Sequence, residues 1–136
     1  DAADVEDAGH EFDPWDEIEL GNAAALAGRT NTARRYCAGA LEDFKKSGDR
    51  EGEATSLNNL GIIAFTRGDL DEAERLYKES LTIKREIGDL LGEAESLNNL
   101  GSIAKARGNL GEAERLFEQS RAIEREMGLL DDEESD

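Results

Sequence analysis

The hexapeptide "SLNNLG" stands at 56–61 and again at 96–101, so the chain carries two adjacent asparagine pairs, Asn58-Asn59 and Asn98-Asn99. An asparagine side chain donates and accepts hydrogen bonds at once, which suits pairing with an extended peptide backbone. Other chemistry is poorly supplied. The single histidine, His10, lies in an acidic head, so a Ser- or Cys-based nucleophile has little to work with. The single cysteine, Cys37, reads as a buried small hydrophobe rather than a thiolate. There is no zinc-ligand spacing, and the glycines recur as helix stops rather than as a phosphate loop. The tail "DDEESD" offers carboxylates to divalent cations but lacks the ordered spacing of a calcium loop. These residues point away from an enzyme and from a cofactor, and toward binding.

Composition narrows the classes further. The chain has 136 residues, room for one domain, with 38% hydrophobic residues, 36% charged residues and one proline. That is too apolar for plain disorder and too charged for a membrane span. The longest apolar stretches, at 23–27 and 62–65, fall far short of the ~20 residues a spanning helix needs. The net charge is −17, but residues 1–13 hold six carboxylates and residues 131–136 hold five, with no Lys or Arg in either segment. The body between them carries 22 acids against 16 bases. Acidic tails on a mildly acidic body argue against a nucleic-acid partner, which calls for a basic patch. Arg outnumbers Lys 11 to 5, which leaves a halophilic source open beside the plainer reading of acidic tails. The lone cysteine fits a reducing compartment, and a cytoplasmic location is expected. No signal peptide is visible, and an opening Asp1 rather than Met fits a piece of a longer protein.

The elements that must position the asparagines come from a repeat. Residues 51–90 match residues 91–130 at 25 of 40 positions without a gap, and a fainter copy occupies residues 11–50. A fixed period of this size means a repeat array. Each unit reads as two helices. In the second unit Leu57, Leu60 and Ala64 form one apolar stripe, and Leu70, Ala73, Leu76, Tyr77, Ser80, Leu81, Ile83 and Ile87 form the next. Gly68 and Gly88 end these helices, while Asp69 and Asp89 cap their successors. Asp13 caps the first helix, with Pro14 in its first turn. Six helices are predicted, at 14–27, 30–47, 50–67, 70–87, 90–107 and 110–127, between an acidic tail at 1–13 and another at 131–136.

The pattern L-x-x-L-G-x-x-A…G-x-x-x-x-A-x-x-x-[YF]-x-x-S resembles the tetratricopeptide repeat. The second unit fits it with Leu57, Leu60, Gly61, Ala64, Gly68, Ala73, Tyr77 and Ser80. The third fits with Leu97, Leu100, Gly101, Ala104, Gly108, Ala113, Phe117 and Ser120. The first departs from it, with Glu17 in place of the first leucine and Cys37 in place of the aromatic ring. A 40-residue unit is similar to the long-helix branch found in kinesin light chains and cell-polarity adaptors. The resemblance implies an all-α fold, a right-handed superhelical stack of three helix-turn-helix repeats over residues 14–130 (units at 11–50, 51–90 and 91–130). It implies that the first helices line a concave groove that holds a peptide or protein segment. The family's carboxylate clamp needs several Lys and Arg there; the aligned residues are Ile18, Asn22, Asn59, Glu95 and Asn99, so that specificity is not expected.

A helical wheel turns the asparagine pairs away from their own second helices. The candidate ligand-facing set is Asn22, Asn58, Asn59, Ile62, Phe65, Asn98, Asn99, Ser102 and Lys105. Four asparagines inside helices cost about 2 kcal/mol relative to alanine, so something must offset them. Ligand contact is one reading; a bond from one asparagine of each pair to the neighbouring repeat, or passive inheritance through duplication, is the other. Phe65 either meets ligand or packs on the third repeat, and Trp15 either meets ligand or covers the open first helix. A second functional reading is self-association, with solenoid ends stacking on other copies. No separate capping helix follows the last unit, and Leu129 and Leu130 come after it. Arg121 stands where Leu81 and Leu41 do, an outer face turned polar.

Overall fold

The computed structural model describes residues 12–129. They form six α-helices: α1 (Pro14–Leu26), α2 (Thr30–Ser47), α3 (Arg50–Thr66), α4 (Leu70–Ile87), α5 (Leu90–Ala106) and α6 (Leu110–Glu126). Each begins where the sequence predicts and ends there or one residue earlier. His10, Leu130 and residues 131–136 lie outside the described residues, as does most of the acidic head.

The ends of the helices follow from local chemistry. Asp49 Oδ1 accepts from the Gly52 N–H at 2.9 Å, and Asp89 Oδ1 accepts from the Gly92 N–H at 2.9 Å. Asp69 and Asn109 do the same for α4 and α6, and Asp13 for α1. Glycines at 28, 48, 68, 88, 108 and 128, one every 20 residues, all carry positive φ. At Gly88, φ 72° lets the chain reverse while the Asp89 N–H bonds the Lys84 carbonyl at 2.9 Å. A residue with a Cβ would be strained in that conformation.

Each repeat is a helical hairpin: α1 with α2, α3 with α4, α5 with α6. Two devices hold the helices close. The buried Ser80 hydroxyl donates to the Ala54 carbonyl at 2.9 Å, and Ser120 to Ala94 at 2.8 Å. A Cβ at Gly61 would come within 2.6 Å of the Tyr77 ring, and one at Gly101 within 2.7 Å of Phe117. The repeat's paired glycine and aromatic are therefore one contact. In the first repeat the partner of Gly21 is the Cys37 sulfur.

Stacking the hairpins makes the core continuous. Leu57, Tyr77, Ile83, Leu97 and Ile103 belong to one buried cluster across repeats two and three, while Ile18, Cys37, Phe44 and Ile63 join repeats one and two. Leu60 packs against both. The first helices α1 and α3 pack on each other, and no pair of second helices packs to the same degree. The stack thus closes on the first-helix side and splays on the second-helix side. The result is an all-α helical-repeat solenoid.

Candidate functional site

The asparagine doublets divide. Asn58 is only 8% exposed. Its Nδ2 donates to Glu95 Oε1 at 3.1 Å, and its Oδ1 accepts from Asn99 Nδ2 at 2.9 Å. This amide chain ties α3 to α5, the first helices of successive repeats. Asn58 therefore leaves the ligand-facing set: one residue is 100° of helix, and that turn carries it into the seam. Asn98, aligned with Asn58, is exposed, because no further repeat packs on α5 among the described residues. The first-repeat counterpart of Asn58 is Ile18, buried at 5% in the seam. Position 18/58 is thus a seam position in both repeats that have a successor stacked on them.

The other candidates keep contact with solvent. Asn59 and Ser102 are half-buried; Asn22 and Lys105 are exposed. Asn99 is half-buried and partly committed to Asn58, though its own Oδ1 remains to accept. Ser102 Oγ donates to the Asn98 carbonyl of its own helix at 3.3 Å. Ile62 is a large apolar side chain left 45% exposed in the middle first helix. Phe65 is half-buried and packs against the main core cluster. Trp15 is 40% exposed and sets its ring edge-on to Phe44, centroids 4.8 Å apart. The first helices thus mix amides with exposed apolar side chains, Ile62 in the middle helix and Trp15 and Leu26 in the first.

The second helices present a different surface. Arg75 pairs with Glu72 and Glu79, Arg115 with Glu112, and Lys78 with Glu74. Such exposed pairs are a solvated, ion-paired face worth little individually.

Sequence reasoning missed a second feature, the grooves where neighbouring hairpins splay. The groove between repeats two and three has a volume of about 290 Å3 and is bridged by Arg107, whose guanidinium meets Asp71 at 2.5 Å and Glu74 at 3.1 Å. The groove between repeats one and two has about 1080 Å3 and is lined by Arg34, Arg35 and Arg67 around Leu60, Ala64 and Leu76. None of the nine candidate residues lines either groove. The signal was present in the 40-residue alignment: Asn31 and Arg34 stand where Asp71 and Glu74 do.

Cys37 is 1% exposed, and burial, with the nearby Glu17 carboxylate, pushes its thiol up to about 11. Such a thiol stays protonated and unreactive near neutral pH. Among the described residues, no group of three or more His, Cys, Asp or Glu is arranged to hold a metal ion, and no helix is long and apolar enough to cross a membrane.

Comparison with known proteins bears on the fold. The family model described as "Tetratricopeptide repeat" matches residues 17–86 and 68–126. No curated protein matches the sequence. Among solved structures, BtubC (BKLC) from P. vanneervenii superposes with TM-score 0.81 at 23% identity, over 93% of this chain and 54% of that one. The chain therefore spans about half of that protein's length. The TPR domain of Arabidopsis FLU superposes with TM-score 0.75 at 18% identity, over 81% of this chain and 92% of that one. The nearly identical TPR-like repeats of a putative kinesin light chain from Podospora anserina give TM-score 0.72 at 20% identity, over 86% and 58% of the two chains. At these identities the likeness is one of fold.

Proposed function

The chain belongs to the tetratricopeptide repeat family, whose repeats mediate protein–protein interaction, and from that premise we propose that it is a non-catalytic module holding an extended peptide or protein segment against its first helices, α1, α3 and α5. The observation that carries the reading is Ile62, 45% exposed at the middle of that face, beside Asn59. An apolar side chain left in water beside an amide is what a peptide needs: one pocket contact and one backbone contact. The face lies on the side where the first helices close together, so a ligand there touches more than one repeat. Selection of peptides from a displayed library against the chain tests this. Bound peptides should lose affinity by about tenfold or more when Ile62→Asp is introduced, as a buried apolar contact becomes a desolvated charge. Peptides indifferent to Ile62→Asp and Asn59→Ala would end the proposal.

Self-association is the second reading, and Asn98 favours it. It stands exposed where Asn58 is buried in a seam. At the other end, Trp15 and Glu19 are exposed at the positions of Glu95 and Asn99, the two partners of Asn58. Head-to-tail stacking would place Asn98 on Trp15 and Glu19, continuing the solenoid. Light scattering whose apparent mass rises with concentration, and falls back in Asn98→Lys, is the expected result; a constant monomer mass removes this reading.

A further inference from the structure

The two seams offer an internal comparison. They are built from aligned residues, yet one groove is about 290 Å3 and the other about 1080 Å3. The difference has three sources in sequence. Asp71 is replaced by Asn31, Glu74 by Arg34, and Lys78 by Ala38. In the second seam Arg107, the C-cap of α5, reaches across to both acids of α4 and closes the gap. In the first seam Arg67, the matching C-cap of α3, faces an amide and a second guanidinium. Like charges there oppose closure, and Ala38 removes a long side chain from the wall.

The charges left over are not satisfied within the fold. The carboxylates that line the first groove are Asp69 and Glu72. Asp69 is engaged as the cap of α4, accepting from the Glu72 N–H at 3.2 Å, and Glu72 pairs with Arg75. Arg34, Arg35 and Arg67 make no ion pair among the described residues. Three guanidinium groups around an apolar floor of Leu60, Ala64 and Leu76, in a chain of net charge −17, form a local exception to the molecule's own field.

We propose that this groove is a second interaction site, which takes an acidic peptide segment of a partner protein. Two or more carboxylates dock on Arg34, Arg35 and Arg67, and an aliphatic side chain rests on Leu60 and Ala64. Guanidinium forks match carboxylates in bidentate geometry, which favours a carboxylate ligand over a diffuse anion. No aromatic side chain lines the groove to stack a base, which sets it apart from single-stranded nucleic-acid channels. A recessed cleft also lacks the flat basic face that an anionic membrane would meet. The occupant is placed on a partner protein, whose carboxylates complement these guanidinium groups, and the chain's own acidic ends are an outcome of the test. The site is separate from the first-helix face and stands whether or not that face binds peptide.

The test uses the full chain and a fluorescein-labelled ten-residue peptide of Asp, Glu and Leu, with its Asn and Gln counterpart as control, read by fluorescence anisotropy in low salt. The acidic probe should bind, the amide control should not, and binding should weaken as salt screens the charges. The double variant Asn31→Asp, Arg34→Glu rebuilds the acid pair of the second seam and gives Arg67 its partners. It should keep or raise the melting temperature while lowering probe affinity by about tenfold or more. Arg121→Gln, on the exposed face of α6 away from both sites, should leave this affinity unchanged. The proposal is overturned if the acidic probe does not bind, or if the double variant binds within about twofold of the parent. It is overturned equally if a ten-nucleotide RNA binds more tightly at the same residues. Binding that appears only after the carboxylates of 1–11 and 131–136 are changed to amides would show the chain's own ends filling the groove, and would also refute it.

Discussion

Adjacent identical residues do opposite work here. Asn58 spends its amide on Glu95 and Asn99 across a seam, and Asn59, one position on, stays half-open on the first-helix face. Separate alanine variants should part accordingly. Asn58→Ala loses two cross-repeat bonds and gains some helix propensity, a net loss of about 1 kcal/mol, or about 4 °C in melting temperature. Asn59→Ala gains propensity alone and should melt at the same temperature or slightly higher. Thermal melts followed by circular dichroism decide this, and equal drops in both variants would contradict the division. The Asp89 cap gives a second prediction. A hydrogen bond from Lys84, at 2.9 Å, and another from the Gly92 N–H hold the Asp89 carboxyl below its ordinary value of 3.8. A depressed folded-state pKa stabilises the fold above the unfolded value and loses that contribution as pH falls through the folded one. Stability measured by urea titration should therefore fall as pH drops below the ordinary carboxylate range, and Asp89→Asn should make that fall shallower. An unchanged slope in Asp89→Asn would assign the acid sensitivity to other carboxylates.

At the scale of elements, most of the fold was readable because each repeat obeys the same local rules. Apolar residues at spacings of 3 and 4, Asp before each first helix and glycine every 20 residues placed helix ends to within a residue. The seams were less readable. Which asparagine of a pair enters a seam depends on the rotation of one hairpin against the next, and a 100° step per residue makes that rotation decisive. The arginine groove is a property of two repeats at once: Arg34 and Arg67 are far apart in sequence and meet only through stacking, although the charge reversal against Glu74 was visible in the alignment. The seams also predict how the array fails. Leu76, Tyr77, Leu81 and Ile83 of α4 share their cluster with Leu97, Leu100 and Ile103 of α5. Deleting residues 91–136 uncovers that cluster and leaves two repeats, below the roughly three an array needs. Circular dichroism should show much of the remaining helix lost or melting broadly; a sharp transition at the parent temperature would refute this mutual support.

At the scale of the molecule, the solenoid has two unlike surfaces. The second helices carry exposed ion pairs, and the first helices carry amides and uncovered apolar side chains, Ile62 among them. Closing the stack on the first-helix side gathers three repeats' worth of these residues into one face. The seam asparagine belongs to the scaffold, and Asn59, Ile62, Ser102 and Lys105 belong to the surface it supports. The most direct measurement is a backbone amide NMR titration of the full chain with a peptide selected from a displayed library. The largest shift changes should fall on α3 and α5 around Asn59, Ile62, Ser102 and Lys105, with α6 unmoved. Changes confined to α2, α4 and α6, with Ile62 and its neighbours silent, would contradict it.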